Sequence, residues 1–517
     1  MSFYRLGSSA LPAGAVAGSM AGRVRAAAIA GLACLCLAGC AVPDADKSIA
    51  ATASPVSNAK PRIQGAQGPL SVAESRALIA KIGDGAGTSD ILQRHLAIDE
   101  AVAGSPLTAD NAVRVLRDGP ETFHTIAEAI RGARHELNLE YYTIEDVDLE
   151  DGAGGMTKLS DLLIAKRKEG VAVNLIYDSY GSSDTGADFF ARLKDASVHL
   201  LAYHPIDPIN PANVLTINDR DHRKILVADG AIAVVGGVNL SKSYESKSPG
   251  SKAKDGEHKE TSDAVPAAET GAAAGGGNAA EAAPALPEEW RDTAARIEGP
   301  AVAEIQKLFL DHWKAEGGAA LDESESFPKL GVKGNQVVRI IGSAPKEEIP
   351  RYYVTLITTM RNAEAKIWIS AAYFVPTPEQ EEELIAAARR GVDVRLLLAD
   401  NSDSPESIAA AHSHYSELLD AGVRIYETRN VVLHAKTVVI DGVWSAIGSS
   451  NFDHRSVLYN DEVDAIILGA ETADELEKIY QDGMSIATEI DRKAWEANRP
   501  LIEKIRGGVS RLWEGLL

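Results

Sequence analysis

Apolar positions recur along the chain in two similar series. Each series reads as a short strand, a helix-period segment, a strand, a helix and a strand that follows the pattern Gly-Val-x-Val. The recognisable segments are 111–119, 126–144 and 170–182 in the first series, and 335–343, 356–374 and 391–403 in the second. Strands that alternate with helical stretches indicate α/β units on a largely parallel sheet. We therefore predict an α/β protein with two similar halves, each a mostly parallel or mixed sheet flanked by helices.

A break in composition separates the two series. Residues 246–288 lack apolar periodicity and are dominated by Gly, Ala, Ser, Pro and charged residues, which predicts a disordered insertion. The apolar pattern resumes at Trp290 with a short strand and a helix. The expected organisation is an N-terminal half over 69–245 and a C-terminal half over 289–517, with 289–330 completing the first half.

The start of the chain has the pattern of an export signal. Arg23 and Arg25 precede an apolar run of about fifteen residues, which is shorter than the roughly twenty residues of a membrane-spanning helix. The run ends in Leu37-Ala38-Gly39-Cys40, which resembles the lipobox of bacterial lipoproteins. The resemblance implies that residues 1–39 are a signal peptide and that Cys40 is lipidated; a plain signal peptide or a buried helix are the alternatives.

The residues that follow are consistent with an anchored protein. Residues 40–68 are rich in Ala, Pro, Ser and Asp and are predicted to be a flexible tether. By analogy with lipoprotein sorting, Ala41 after the cysteine favours the outer membrane and its periplasmic face. Cys34 and Cys36 would leave with the signal, so that no thiol remains for catalysis or metal binding.

Composition and charge narrow the function classes. The chain has 517 residues, of which 45% are hydrophobic and 24% charged, as in soluble globular proteins. Its net charge of −22 argues against non-specific binding of nucleic acid, which requires a cationic surface.

A short motif of chemically active residues occurs twice, at 221–239 and 433–451. Each copy reads His-x-Lys-x4-Asp, followed by Gly-x-x-Asn. The two sets are His222, Lys224, Asp229 and Asn239, and His434, Lys436, Asp441 and Asn451. Spacing of two on a strand directs His and Lys to one face, and the Asp-Gly that follows predicts a hairpin turn. Two copies related by a pseudo-two-fold axis would supply two of each group.

This set of side chains suits phosphoryl transfer. The two lysines and two asparagines can hold the negative charge of a phosphodiester. One neutral histidine can attack phosphorus, and the other, when protonated, can donate to the leaving alkoxide. No cofactor and no metal are required, because the sequence shows no HExxH, cysteine pair or carboxylate cluster with metal spacing.

The motif pair resembles the phospholipase D superfamily, over roughly residues 105–515. The resemblance implies that His222 is the nucleophile and His434 the general acid, and that the lysines and asparagines bind phosphate. It also implies that Asp229 and Asp441 support structure and that Glu462, downstream of the second motif, orients a histidine.

Within the superfamily the chain is most similar to bacterial cardiolipin synthases, on segments such as EYYTIED (140–146), WRDTAARIEGPAV (290–302) and SSNFDHRSVLYNDE (449–462). Those enzymes transfer a phosphatidyl group from one phospholipid to the hydroxyl of another, which implies phospholipid substrates, with phosphatidylglycerol or a similar lipid as the expected partner.

Three features depart from the family pattern. The lipoprotein signal stands in place of the usual pair of N-terminal membrane helices. The acidic pair of the family's Gly-Asp-Glu-Tyr is replaced by Ser241-Lys242-Ser243-Tyr244, which leaves the carboxylate partner of His222 open between Glu245 and a residue elsewhere. Gly237 stands where many members have Ser.

Alternative functions remain open at this point. A hydrolytic phospholipase D would use the same residues with water as acceptor. A phosphodiesterase or nuclease, disfavoured by the charge, and a non-catalytic envelope lipoprotein, disfavoured by two intact motifs, are the others.

Overall fold

The computed structural model describes residues 42–45, 47–48, 63–84, 104–205, 218–245, 289–402 and 404–498. The predicted signal peptide 1–39, the predicted lipidation site Cys40, most of the predicted tether and the whole predicted insertion 246–288 lie outside these residues. Within the described ranges, no helix combines the length and apolar character needed to cross a membrane.

The strands and helices follow one another in two series, as the sequence predicts. The strands are β1 (Ile63–Gly65), β2 (Gly68–Pro69), β3 (Leu107–Arg117), β4 (Glu136–Tyr141), β5 (Asp148–Glu150), β6 (Met156–Lys158), β7 (Ala172–Asp178), β8 (His199–Tyr203), β9 (Arg220–Asp221), β10 (Lys224–Ala228), β11 (Ile232–Gly236), β12 (Trp290–Arg291), β13 (Thr293–Glu298), β14 (Gln336–Ser343), β15 (Lys366–Ala371), β16 (Asp393–Ala399), β17 (Arg424–Thr428), β18 (Val432–Leu433), β19 (Lys436–Ile440), β20 (Trp444–Gly448), β21 (Asn460–Leu468) and β22 (Ala487–Glu489). The α-helices are α1 (Val72–Asp84), α2 (Asp118–Gly132), α3 (Leu159–Lys168), α4 (Ala187–Asp195), α5 (Ala301–Ala315), α6 (Arg351–Arg361), α7 (Pro378–Arg389), α8 (Pro405–Ala421), α9 (His454–Leu458), α10 (Ala470–Ile486) and α11 (Arg492–Asn498).

Within the described residues, each half contains a mixed sheet in which seven strands follow the same order, and β22 extends the second sheet by pairing antiparallel with β17. In the first half the order is β8-β7-β4-β10-β11-β13-β3, and in the second it is β17-β16-β15-β19-β20-β21-β14. The first three strands of each order are parallel and the other pairings are antiparallel. Strands β3 and β14 pair antiparallel and join the two sheets. The two-half α/β architecture is therefore the one that the repeat predicts, and β13, from beyond the predicted insertion, lies between β11 and β3 of the first half.

The sequence explains why these elements form and pack. Helix α2 buries Ile126 and Ile130, four positions apart and so on one face, against Leu137 and Leu139 of β4. Helix α7 begins with a capping box in which Thr377 accepts from the Gln380 backbone while the Gln380 side chain accepts from the Thr377 backbone. These helices cover the outer faces of the sheets.

A second core lies where the halves meet. It combines buried side chains of both motifs' strands, including Ile225 and Val235 from the first half and Val439, Ile447 and Val463 from the second. Because apolar burial is the main favourable term in folding, these shared side chains hold the two halves in one unit.

The end of the predicted tether needs a correction. Ile63–Gly65 forms strand β1, which pairs antiparallel with β2 and parallel with β3, and the Ile63 side chain is fully buried. The composition of the whole segment 40–68 predicts a tether, but Ile63 near its end is paired and buried. The described residues 63–68 therefore belong to the first half.

Candidate active site

The two motif histidines lie where short strands of one half pair with the other half. His222 follows β9, which pairs parallel with Asn460–Asp461 of β21, and its backbone N–H donates to Asp461 O at 2.9 Å. His434 follows β18, which pairs parallel with β12, and its backbone N–H donates to Arg291 O at 2.7 Å. Each histidine is therefore fixed by backbone of the opposite half, in matching fashion.

The carboxylate that contacts His222 comes from the second half. His222 Nδ1 lies 3.0 and 3.1 Å from the two oxygens of Glu462, and both side chains are buried. The carboxylate also accepts from Ser449, from Ser456 Oγ at 2.8 Å and from Asn460 Nδ2 at 3.1 Å. Burial raises the pKa of Glu462, but the charge and hydrogen bond of His222 and the charge of Lys224 outweigh it, so the pKa lies below its usual value. Glu462 is thus a fully hydrogen-bonded buried carboxylate aimed at His222.

The carboxylate that contacts His434 comes from the first half. His434 Nδ1 lies 2.8 Å from Oδ2 of the buried Asp292. The Tyr244 hydroxyl donates to the same oxygen at 3.0 Å and lies 2.7 Å from His434 Nδ1. The second oxygen of Asp292 accepts from the Thr293 backbone at 2.7 Å. The histidine–carboxylate pairs are therefore crossed between the halves.

Asp292 and Tyr244 are site residues that the sequence did not reveal. Glu462 stands 28 residues after His434, whereas Asp292 stands 70 residues after His222, and 43 of those 70 belong to the segment 246–288. Removing that segment leaves 27, one fewer than the spacing in the second half. The repeat therefore contains the spacing that would identify Asp292, but the segment 246–288 interrupts it.

The two departures after the first motif have local explanations. Glu245, considered as the partner of His222, instead accepts from the Asp148 backbone at 2.8 Å, and Glu462 takes its place. Gly237 leaves room for Asp292, because a Cβ at Gly237 would lie 2.2 Å from Asp292 Oδ1. The equivalent position in the second motif is Ser449, whose hydroxyl donates to Glu462.

The motif lysines lie beside their own histidines. Lys224 Nζ donates to His222 O at 2.7 Å, and Lys436 Nζ donates to His434 O at 2.7 Å and lies within 3.0 Å of the His434 ring nitrogens. Both lysines are buried. Because a buried ammonium strongly favours a nearby anion, these two groups supply local positive potential next to the imidazoles.

The motif asparagines occupy the ends of the returning strands. Asn239 Oδ1 accepts from the Thr143 backbone at 3.2 Å, which orients its amide. Asn451 is buried and lines the cleft that contains His222. An amide held in this way can donate to an oxygen of a bound phosphodiester.

The motif aspartates lie in the hairpin turns. Asp229 and Gly230, like Asp441 and Gly442, all have positive φ, between 51° and 68°, as a type I′ turn requires. The Asp229 carboxylate accepts from the backbone N–H groups of residues 134–136, and the Asp441 carboxylate from those of residues 364–366. Both aspartates therefore tie the hairpin to the start of β4 or β15.

An open cleft of about 420 Å³ leads to His222. It is lined by Tyr142, Arg220, His222, Tyr373, Ser404, Ser407, Asn451, Asp453, Arg455 and Asn460. Tyr373 connects it to the second motif, because its ring meets the His434 ring edge-on with 6.3 Å between centroids. Burial raises the pKa of Asp453 to about 6, with a further contribution from the charge of Glu462. The cleft thus combines residues of both halves around His222.

One group of side chains in the described ranges has the spacing of a metal site. Glu140, Asp221 and His312 are all buried, and each offers one possible metal-ligand atom within 4.8 Å of the others. They lie outside the set of residues that line the cleft.

The chain is similar in sequence to known proteins of one family. The domain family described as "cardiolipin synthase, PLD-like domain" matches residues 126–248 and 356–483, one segment in each half. A cardiolipin synthase of a Geobacillus species is 33% identical over 427 residues, covering 82% of this chain and 76% of the relative. A cardiolipin synthase of Alkalihalophilus pseudofirmus is 31% identical over 418 residues, covering 80% and 74%.

A solved structure has the same fold. The phosphatidylserine synthase of Haemophilus influenzae superimposes with a TM-score of 0.56 at 12% identity, over 82% of this chain and all of that one. On its duplicated motif, its fold and these relatives, the chain belongs to the cardiolipin synthase family of phospholipase D-like phosphatidyltransferases.

Proposed function

We propose that this protein transfers a phosphatidyl group from one phospholipid to the hydroxyl of another through a covalent phosphohistidine, as a cardiolipin synthase does. The observation that carries the proposal is the crossed pair of histidine–carboxylate contacts, His222 with Glu462 and His434 with Asp292, next to two buried lysines. The similarity to curated cardiolipin synthases supports phospholipids as substrates.

In the first step His222 acts as the nucleophile. Its Nδ1–H donates to Glu462, which holds the ring in the tautomer with a lone pair on Nε2. Nε2 forms a bond to phosphorus, and the bond from phosphorus to the headgroup oxygen breaks. The proton for the departing alkoxide comes from His434, held in place by Asp292 and Tyr244.

The remaining motif residues stabilise the charge on the phosphoryl oxygens. Hydrogen bonds already orient Lys224, Lys436 and the amide of Asn239, so these groups need little reorganisation when charge develops. The Asn451 amide lines the same cleft and can donate to a phosphoryl oxygen. Asp229 and Asp441 act only through the turns that position these strands.

In the second step His434, now neutral, takes the proton of the acceptor hydroxyl. The acceptor oxygen attacks phosphorus, the bond to His222 Nε2 breaks, and the diester of the new lipid leaves. With phosphatidylglycerol as both donor and acceptor the products are cardiolipin and glycerol. With water as acceptor the product is phosphatidic acid.

We predict that the purified protein converts phosphatidylglycerol vesicles to cardiolipin and free glycerol, measured by lipid mass spectrometry. His222→Ala should lower the rate by at least about 10³-fold, because no nucleophile remains. His124→Ala is the matched control, since His124 is an exposed histidine outside the site, and should keep the wild-type rate.

Two other outcomes would replace this assignment. Phosphatidic acid as sole product would make the protein a hydrolytic phospholipase D. Cleavage of DNA or RNA without lipid turnover would make it a nuclease, and no turnover of any of these would favour a non-catalytic envelope role.

We also predict that the two histidine roles separate on a lipid with p-nitrophenol as headgroup, which leaves as a stable anion and needs no general acid. His434→Ala should release about one equivalent of nitrophenol per chain and then stall, with phosphate on His222, because the second step lacks its base. His222→Ala should show no burst. A trapped phosphohistidine at position 434 in the wild type would reverse the assignment.

We propose further that Cys40 is lipidated and anchors the enzyme to the periplasmic face of the outer membrane. The sequence Leu37-Ala38-Gly39-Cys40 at the end of the apolar run supports this, as does Ala41 after it. A lipid anchor would bring an acidic protein to an anionic substrate surface without long-range electrostatic attraction.

In a two-membraned bacterium that is fed labelled palmitate, the wild-type protein should carry label and sediment with outer-membrane vesicles. Cys40→Ser should lose the label and appear in the periplasmic or inner-membrane fraction. Cys36→Ser is the matched control and should behave as wild type. An unlabelled wild-type protein, or a labelled Cys40→Ser variant, would refute the anchor.

A further inference from the structure

A buried polar cluster lies directly behind the loop that carries His222. It consists of Glu140 at the end of β4, Asp221 in β9 and His312 near the end of α5. Glu140 and Asp221 have no exposed surface and His312 is 8% exposed. The three side chains come from distant parts of the first half and meet at the junction with β21.

Each of the three side chains keeps a buried polar atom without a hydrogen-bond partner. These atoms are Glu140 Oε2, Asp221 Oδ2 and His312 Nε2. An unsatisfied buried polar group costs about 1–3 kcal/mol, and more when it is charged. All three atoms can accept a hydrogen bond or bind a cation. Because the three residues offer ligand atoms within 4.8 Å of one another, one shared partner can satisfy them.

The charges of the cluster point to a cation. Glu140 and Asp461 both contact the Arg223 guanidinium at 3.2 Å, and Asp221 Oδ1 accepts from the Arg223 backbone at 3.2 Å. His312 Nδ1 lies 2.8 Å from Glu140 Oε1. With the imidazole neutral, as metal binding through a ring nitrogen requires, three carboxylates face one guanidinium and their formal charge is −2. The neighbouring Asp178 and Arg220 form a separate pair at 3.5 Å. Buried charge of this size is strongly unfavourable without compensation.

We infer that Glu140, Asp221 and His312 bind a divalent first-row transition-metal ion such as Mn²⁺ or Zn²⁺. Carboxylate and imidazole ligands together suit these ions, and a charge of +2 would neutralise the cluster. Asp461 can serve as a fourth ligand, because its Oδ2 lies 3.9 Å from His312 Nε2. The ion would not touch the reacting phosphate, so the transfer chemistry remains that of the histidines.

The position of this site gives it a structural role. Asp221 directly precedes His222, Asp461 directly precedes Glu462, and the backbone of His222 donates to Asp461 O. An ion bound to Asp221 and Asp461 would therefore fasten the β9–β21 pairing that brings His222 to Glu462. Loss of the ion should lower both thermal stability and the rate of transfer.

The test uses the full-length protein purified without a polyhistidine tag or chelator, with metal content measured by mass spectrometry. The protein is then stripped with EDTA and titrated with Mn²⁺ or Zn²⁺ alone. We expect one ion per chain and a melting temperature that rises with added metal. His312→Gln should weaken binding at least about tenfold, whereas His124→Gln, at an exposed histidine, should bind as wild type.

Two results would overturn the inference. The first is a stripped wild-type protein that neither binds either ion nor gains stability from it, which would make the cluster a hydrogen-bonded network with a protonated Asp221. The second is equal loss of binding in His312→Gln and His124→Gln. Should His312→Gln fail to fold, X-ray absorption of the Co²⁺-loaded wild type decides, since one imidazole ligand is expected and its absence would refute the site.

Discussion

The site depends on one constraint, which is that each catalytic-motif histidine is held by a carboxylate from the other half of the molecule. His222 contacts Glu462 and His434 contacts Asp292, and in each case the residue before the carboxylate also accepts from the histidine backbone. Among the described residues, neither motif histidine has its carboxylate partner in its own half. The apolar core shared between the halves, with Ile225 on one side and Val439 on the other, is therefore required by the proposed chemistry as well as by stability.

Burial strengthens these contacts, and it also requires that each buried carboxylate be fully hydrogen-bonded. The Glu462 carboxylate is fully buried, and three further donors besides His222 satisfy it, which keeps it ionised despite the loss of water. Asp292 is satisfied by Tyr244 and by the Thr293 backbone. Both imidazoles are thus held in fixed orientations before substrate binds, as electrostatic preorganisation requires. The cluster of Glu140, Asp221 and His312 lies directly behind this junction. Unlike the two site carboxylates, each of its side chains keeps a buried polar atom without a hydrogen-bond partner.

Much of this could be predicted from sequence, because the signals were local or repeated. The strand and helix periods gave the two-half α/β fold, and Asp229-Gly230 and Asp441-Gly442 gave the two turns that the structure contains. What could not be predicted depends on distant residues. Asp292 is separated from its motif by the segment 246–288, and Glu140, Asp221 and His312 meet only after the sheet and α5 have packed. Strand β1 has only two residues of local pairing with β2, and its register with β3, more than forty residues away, is not visible in the sequence.

The crossed pairing is tested most directly by comparing Asp292→Asn with Glu462→Gln on the p-nitrophenol lipid, with Asp195→Asn at an exposed helix position as control. Although Asp292 follows the first motif, its amide variant should impair the function of His434, so that the nitrophenol burst survives while turnover falls by about 10²–10⁴-fold. Glu462→Gln should slow the burst itself, because it misorients His222, the proposed nucleophile. Loss of the burst in Asp292→Asn together with its survival in Glu462→Gln would show that each carboxylate serves its own half, and would contradict the account.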